Sequence, residues 1–163
     1  MSTPNIETLN LELVLNSLEG TRARIEAMSP SDRAELSADW LALVDSATSA
    51  IPWVHGFAMV RRADNAIVGE CGFKGPPSPD EVVEIAYGVD PKEQGKGYAT
   101  EAAQALTSYA FKHDDVRVVR AHTRPESDAS ARVLTKCGFR QVGEVIDPDD
   151  GLVWRWEKHD EAA

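Results

Sequence analysis

The stretch that decides the fold is Gln94-Gly95-Lys96-Gly97-Tyr98-Ala99. It follows a segment rich in Val and Ile, residues 81–89, and begins a segment, residues 98–113, whose apolar residues recur at helical spacing. A glycine turn between a strand and a helix lets the backbone approach a ligand. The unpaired N–H groups at the partly positive helix start then favour an anion of phosphate size.

Two familiar phosphate-binding motifs do not fit this turn. A P-loop needs a longer glycine spacing and a Lys followed by Ser or Thr. A dinucleotide fingerprint needs a third glycine, and Thr100 stands at that position. A tight turn that binds nothing is the plain alternative. Glu101, in the first helical turn, is explained by the helix dipole alone.

Outward from the turn, the pattern predicts one α/β (α+β) domain over residues 1–163 with a loose polar tail at 159–163. We expect a mixed central sheet of about six to seven strands flanked by about four helices, and a parallel pairing across the helix that follows the turn. The predicted strands are 9–15, 57–62, 67–73, 81–89, 116–123, 139–146 and 152–157. The predicted helices are 17–28, 32–49, 98–113 and 127–137, the second capped by Ser31 or Asp32.

Composition limits the function classes. The 163 residues carry 27 acidic and 17 basic side chains, a formal net charge of −10, which argues against general nucleic-acid binding. No apolar run is long enough to span a bilayer, and the N-terminus lacks a signal-peptide pattern. Two cysteines do not make a disulfide framework, and the four histidines are scattered. We therefore expect a cytoplasmic protein with no metal and no membrane or nucleic-acid partner.

Three motifs together resemble the GNAT superfamily of N-acetyltransferases. Gln94-x-x-Gly97-x-Ala99 is similar to its acetyl-CoA signature, and residues 83–89 resemble its fourth strand. Ala129-Ser130 through Cys137-Gly138-Phe139 resembles its later helix and Gly-Phe ending, most closely in the branch that acetylates ribosomal-protein N-termini. The resemblance covers residues 67–145. The first fifty residues, which shape the acceptor site in this superfamily, match only in the order of elements.

The resemblance implies acetyl-CoA as co-substrate, with its pantetheine arm between strands 81–89 and 116–123 and bonded to backbone near Ile85, Tyr87 and Val89. The pyrophosphate would bind the amides of Gln94, Gly95, Lys96, Gly97, Tyr98 and Ala99. Ser127 stands where the family often has an asparagine that contacts the arm. Arg132 and Lys136 could reach the nucleotide, although a solvated helix face is an equal alternative.

The resemblance also suggests catalytic residues. Glu84 is the first candidate for the general base, with Glu70 in reserve and Glu81 interpreted as a surface residue. Many members carry a tyrosine acid where this sequence has Leu134, so Ser130 becomes the candidate near the sulfur. Tyr87 lies on the opposite strand face from Glu84, which favours packing in the core.

These inferences predict an N-acetyltransferase that uses direct attack in a ternary complex. The acceptor would be a primary amine, either a protein N-terminus or a small molecule. The alternative is a non-catalytic acyl-CoA-binding sensor module, and a third reading is a structural partner whose turn is vestigial. The sequence leaves a homodimer open.

Overall fold

The computed structural model describes residues 5–126, 128–148 and 151–160. The described strands are β1 (Ile6–Glu7), β2 (Leu11–Leu15), β3 (Phe57–Arg61), β4 (Ile67–Phe73), β5 (Val82–Val89), β6 (Val118–Thr123), β7 (Arg140–Asp147) and β8 (Gly151–His159). The described helices are α1 (Leu18–Ala27), α2 (Pro30–Ala34), α3 (Ala38–Ser46), α4 (Pro52–His55), α5 (Tyr98–Phe111) and α6 (Asp128–Lys136).

All eight strands form one sheet in the order β1-β2-β3-β4-β5-β6-β8-β7. Neighbouring strands are antiparallel except β5 and β6, which run parallel on either side of the connection through α5. This is the predicted mixed sheet, and the α/β class is confirmed. The predicted count of six to seven strands is low, because the short β1 adds an edge strand beside β2.

Helix α5 packs on one face of the sheet and forms the centre of the core. Its inward side chains are small or of moderate size, and Ala102, Ala103, Leu106 and Ala110 are all fully buried. They meet alternate residues of the strands, among them Val83 and Ile85 of β5. Since side chains alternate along a strand, Glu84 lies on the opposite face of the sheet. Trp156 of β8 is buried, and Trp154 is partly buried and packs against the core.

The N-terminal helices differ from the prediction. Residues 32–49 do not form one helix, because Ser37 has an extended backbone and its side chain accepts a hydrogen bond from Trp40 N, which starts α3. In the same way Ser29, rather than Ser31 or Asp32, caps α2. This division gives five helices, and the short α4, which was not predicted, makes six in the described part of the chain.

The C-terminal strand is longer than expected. His159, assigned to a loose tail from the sequence, is the last residue of β8, and Asp160 N donates to Arg117 O. Residues 161–163 lie outside the described part. Among the described helices, none is both long enough and apolar enough to cross a membrane.

Candidate active site

Strands β5 and β6 separate partway along their length. Their parallel ladder begins at Val82 and Val118 and ends at the pair Glu84–Arg120. Beyond that pair, β5 continues to Val89 while hydrogen-bonded to β4 on its other edge. The β6-facing edge of residues 85–89 is therefore outside the sheet ladder, and its backbone groups need another partner.

A groove of about 500 Å³, here called the turn groove, runs from this gap to the start of α5. It brings together most residues predicted to bind acetyl-CoA. Its lining includes Tyr87, Val89, Gln94, Gly95, Gly97, Tyr98, Ala99, Ser130, Arg132 and Lys136. The Lys96 side chain is not part of this lining. Ser127 lies outside the described residues.

The turn itself is built from glycines in the left-handed region. Gly95 has φ 81° and Gly97 has φ 87°, a conformation that a residue with a Cβ adopts at a cost. Gly97 is also the N-cap of α5 and provides no side chain to cap the first amides. A Cβ at either glycine would meet no protein atom within 4 Å, so the space above the turn is open. The Gln94 side chain links the turn to the end of β5, since its Nε2 donates a hydrogen bond to Val89 O.

The charges near the turn are paired. Glu93 Oε2 lies 2.8 Å from Lys96 Nζ and 2.7 Å from Arg61 Nη1, and Arg61 also binds Asp64. The hydrogen bond from Lys96 lowers the pKa of Glu93, and Arg61 adds to the effect. Lys96 is thus held beside the turn by a carboxylate. The basic side chains that line the groove itself are Arg132 and Lys136 of α6.

Glu84 of β5 belongs to a chain of charged and polar side chains that come from β6, β8 and the end of β4. Its Oε2 lies 3.0 Å from Lys74 Nζ and 2.9 Å from His122 Nδ1. Arg155 Nε in turn donates to His122 Nε2 at 3.1 Å. Because an arginine nitrogen can only donate, His122 Nε2 must accept, which places the ring proton on Nδ1. His122 therefore donates to Glu84, and two donors orient the carboxylate.

Sequence reasoning did not find the partners of Glu84. Lys74 follows β4, His122 is in β6 and Arg155 is in β8, so only the strand register brings them together. The register pairs His122 with Arg155 directly. The observable signal was the alternation of polar residues along β6 and β8, on the face opposite the core.

A small cavity of about 110 Å³, the Glu84 cavity, joins Glu84 and His122 to Tyr87 and Ser130. Tyr87 is partly buried and packs against the core, as predicted, but it also lines this cavity and the turn groove. Burial raises the pKa of Tyr87 to about 12. Leu134 is fully buried in the core.

A second groove, the helix-side groove, crosses the face of the sheet opposite α5. Its volume is about 580 Å³, and it is lined by β4 and β5 together with residues of α1, α3 and α4. Glu70 stands in it, paired with Arg24 of α1 at 3.1 Å. Trp40 forms part of the wall and donates from Nε1 to Val54 O. Glu81 is elsewhere, in an ion pair with Arg117.

Glu101 has contacts that the helix dipole does not explain. Its Oε1 accepts from Thr8 Oγ1 at 2.6 Å and from Asn10 N at 2.8 Å, and its Oε2 accepts from Asn10 Nδ2. It ties the β1–β2 turn to the start of α5. Burial alone would raise the pKa of Glu101, but these hydrogen bonds outweigh burial and lower it.

Comparison with known proteins identifies the fold family. The acetyltransferase (GNAT) domain family matches residues 11–140 of this sequence. The chain belongs to the GNAT family. The match includes β5, β6, the glycine turn and all four N-terminal helices, so the GNAT assignment extends beyond the motifs around residue 94.

A curated relative of this GNAT domain also carries the name of an N-acetyltransferase. The uncharacterized N-acetyltransferase YnaD of Bacillus subtilis is 34% identical over 87 residues, which are 53% of this chain and 51% of that protein. The matched part thus spans about half the length of this curated relative.

Solved GNAT structures share the fold at lower identity. RimL, a ribosomal L7/L12 alpha-N-protein acetyltransferase in complex with coenzyme A, has a TM-score of 0.70 at 17% identity and covers 98% of this chain and 99% of its own. The aminoglycoside acetyltransferase AAC(6')-Ib with coenzyme A has a TM-score of 0.62 at 19% identity, over 92% of this chain and 95% of its own.

Proposed function

We propose that this GNAT protein is an acetyl-CoA-dependent N-acetyltransferase that acts on a primary amine. The observation that carries the proposal is the end of the β5–β6 ladder at Glu84–Arg120, which opens a groove leading to an uncapped helix start. A free strand edge suits an amide-bearing arm, and a glycine turn with a helix N-terminus suits a pyrophosphate.

The residues of the turn groove fit coenzyme A. The amides of residues 94–99 would hold the pyrophosphate, and the free edge of residues 85–89 would pair with the amides of the arm. Arg132 and Lys136 would neutralise charge at the nucleotide end. Bound there, acetyl-CoA supplies an acetyl group activated as a thioester.

We assign the role of general base to Glu84. An alkylamine is mostly protonated at neutral pH, so one proton must go to solvent and a second must leave the nitrogen as it forms its new bond. Glu84 would receive the second proton, directly or through one water. Lys74 and His122 would fix the direction of its carboxylate, which is the requirement for efficient proton transfer.

The helix-side groove is the proposed acceptor site. It shares Tyr87 and Ala86 with the Glu84 cavity, so an amine in this groove would reach the base from the face opposite α5. Ala86, Gly72 and Gly88 leave room along its floor. RimL is a ribosomal L7/L12 alpha-N-protein acetyltransferase and AAC(6')-Ib is an aminoglycoside acetyltransferase, and a groove of about 580 Å³ could hold part of either class of acceptor.

The test is an acceptor screen on a protein whose ligand binding is measured first. Calorimetry with acetyl-CoA should show binding, and thiol release should then rise with one class among N-terminal peptides, small alkylamines and aminoglycosides. Mass spectrometry of the product identifies the acetylated nitrogen. No binding at millimolar acetyl-CoA would overturn the proposal. Binding without transfer to any amine would favour the non-catalytic sensor instead.

A further inference from the structure

His55 is a buried residue in the wall of the helix-side groove. It ends α4, directly before Gly56 and β3, and only 3% of its surface is exposed. Asn16, which follows β2, holds this part of the chain, because Asn16 Nδ2 donates to His55 O and Asn16 N donates to Gly56 O, both at 3.0 Å. The backbone that carries the imidazole is therefore fixed against the sheet.

The hydrogen bonds of the His55 ring define its tautomer. Ile51 N donates to His55 Nδ1 at 2.9 Å. Because a backbone amide can only donate, Nδ1 must accept, and the neutral ring carries its proton on Nε2. Ile51 O lies farther from Nδ1, at 3.3 Å, and a proton on Nδ1 directed at it would leave the shorter contact without an acceptor. Nε2 is thus a hydrogen-bond donor.

This donor is buried and has no partner among the described residues. The accessible area of His55 Nε2 is below 1 Å², and no described group lies in hydrogen-bonding geometry with it. Burial of an N–H without an acceptor costs free energy, and the bond to Ile51 explains only the other ring nitrogen. Because His55 lines a groove, an acceptor that arrives with a ligand would satisfy Nε2.

His55 lies on the same face of the sheet as the proposed base. A Cβ on Gly72 of β4 would be 2.9 Å from Gly56 Cα, so the end of α4 passes directly over this glycine. Gly72 pairs with Ala86 of β5, and Ala86 is two residues from Glu84, on the same face. Strand spacing and rise then place Gly72 and Glu84 about 8 Å apart in the sheet. A small ligand can therefore contact Glu84 and His55 at once.

The surroundings of His55 favour a neutral carbonyl group as its partner. Val54 and Phe57, close to it in the chain, are buried and apolar. A carbonyl oxygen only accepts, whereas a hydroxyl would bring a proton that needs an acceptor of its own in these surroundings. Among the described residues, the charged side chains that line the groove are Arg24, Glu70 and Asp90. Their net negative charge disfavours a carboxylate and favours a cationic amine.

We propose that His55 determines acceptor specificity, because its Nε2–H donates a hydrogen bond to a neutral carbonyl oxygen next to the amine that is acetylated. This assignment rests on the proposed function, in which the helix-side groove holds the acceptor. The first residue of a peptide carries an amine and a carbonyl group in this arrangement. A simple alkylamine has no such oxygen, and an aminoglycoside offers hydroxyl and ether oxygens instead.

The first test follows the His55 ring by NMR, in protein that is isotope-labelled at histidine and saturated with coenzyme A. The Hε2 signal of His55, assigned from its contact with Ile51, should move downfield when alaninamide is added. The hydrocarbon analogue of alaninamide, in which an isopropyl group replaces the carboxamide, should not move this signal. Alaninol, which carries a hydroxyl instead of the carboxamide, should cause a smaller shift.

Kinetics with the same amines measures the contribution of this hydrogen bond. His55→Asn keeps a side-chain oxygen that can accept from Ile51 N but loses the donor at Nε2. The KM for alaninamide should rise about fivefold, which corresponds to one neutral hydrogen bond, while kcat stays within twofold. The KM for the hydrocarbon analogue should not change. His55→Gln, whose amide nitrogen can reach the place of Nε2, should recover most of the affinity for alaninamide.

His113→Asn is the matched control. The Nδ1 atom of His113 lies 3.0 Å from Tyr109 O, and the ring packs against Trp53. His113 does not line the helix-side groove. This variant should therefore leave the ratio of the two KM values as it is in the wild type. Unfolding curves of all three variants show whether a change in KM comes from loss of the fold.

Each contrary result overturns a defined part of the argument. If alaninamide does not move the Hε2 signal, or the hydrocarbon analogue moves it equally, His55 does not recognise a carbonyl group, whether or not the variants fold. An equal shift with alaninol overturns the choice of a carbonyl over a hydroxyl. If His55→Asn raises the KM for both amines equally, His55 only supports the wall of the groove. A wild type that does not bind coenzyme A in calorimetry overturns the proposed function itself, and the specificity of His55 with it.

Discussion

The two grooves that meet at Tyr87 are built from different parts of the chain. The turn groove has a backbone frame made of the free edge of β5, the glycine turn and the uncapped start of α5, and α6 adds the side chains of Arg132 and Lys136. The helix-side groove is formed mainly by side chains, such as Arg24, Trp40 and Glu70, which come from separate elements. A ligand held by backbone requires glycines at fixed positions, whereas one held by side chains leaves no fixed pattern.

The largest effect is expected in the Glu84 cavity, which shares Tyr87 with both grooves. Glu84→Gln should lower kcat by about a hundredfold or more, because removal of a positioned base costs that much. Affinity for acetyl-CoA should stay within twofold, since the side chain lies in the Glu84 cavity and not in the lining of the turn groove. Steady-state kinetics with the acceptor found by the screen measure the first quantity, and calorimetry measures the second.

Glu81→Gln is the matched control for this prediction. Glu81 is a carboxylate just before the same strand, but it forms an ion pair with Arg117 and lines none of the three cavities. Its kcat should equal that of the wild type. If Glu84→Gln kept full turnover, the proton would have to leave by another route, and Glu70 would be the next residue to test.

A smaller effect is expected from the backbone of the turn. Gly97→Ala should weaken coenzyme A binding by about tenfold or more, because the added Cβ enters the open space above the turn and strains a residue at φ 87°. Gly151→Ala introduces the same kind of strain at φ 74° in the β7–β8 hairpin. Both variants should lose about 1 kcal/mol of stability, and only the first should lose affinity. If Gly97→Ala and Gly151→Ala bound coenzyme A equally well, the turn would not be part of the binding site.

The difference between the grooves explains what the sequence could predict. Gln94 to Ala99 were readable because a strand, two glycines and a helix start are local features, and the structure brings most of them into one groove. The end of the helical pattern at Ser37 was not predicted, because a serine inside an apolar helical pattern can either continue a helix or cap one. The partners of Glu84 were not predictable either, since Lys74, His122 and Arg155 meet only through the register of β4, β5, β6 and β8.

Loss of the contact between His122 and Glu84 is expected to lower kcat about tenfold. His122→Ala removes the Nδ1 donor and should lower kcat by about that factor, the value of one hydrogen bond to a charged group. His122→Asn places an amide donor near the same position and should recover most of the loss. The KM for acetyl-CoA should not change in either variant. If His122→Ala and His122→Asn lowered kcat equally, the role of His122 would be limited to its contact with Arg155 of β8.

The smallest expected effect concerns the hydrogen bonds between the β1–β2 turn and the start of α5. Glu101 joins the β1–β2 turn to α5 through Thr8 and Asn10. Its pKa is lowered in the folded state, so its stabilising contribution is present above its ordinary value of 4.5 and is lost as the pH falls. Glu101→Gln should therefore cost about 1 kcal/mol in urea unfolding at pH 7 and clearly less at pH 3.

Glu19→Gln separates this contact from a simple helix-dipole effect. Glu19 also lies in the first turn of a helix, α1, and its removal should cost only a few tenths of a kcal/mol. If the two variants lost the same stability, the dipole would suffice and the hydrogen bonds to Thr8 and Asn10 would contribute nothing measurable. If Glu101→Gln alone is costly, the N-terminal segment is fixed to the same helix start that forms the turn groove. Loosening that segment should then also weaken coenzyme A binding slightly, by a factor that calorimetry on the same variant can measure.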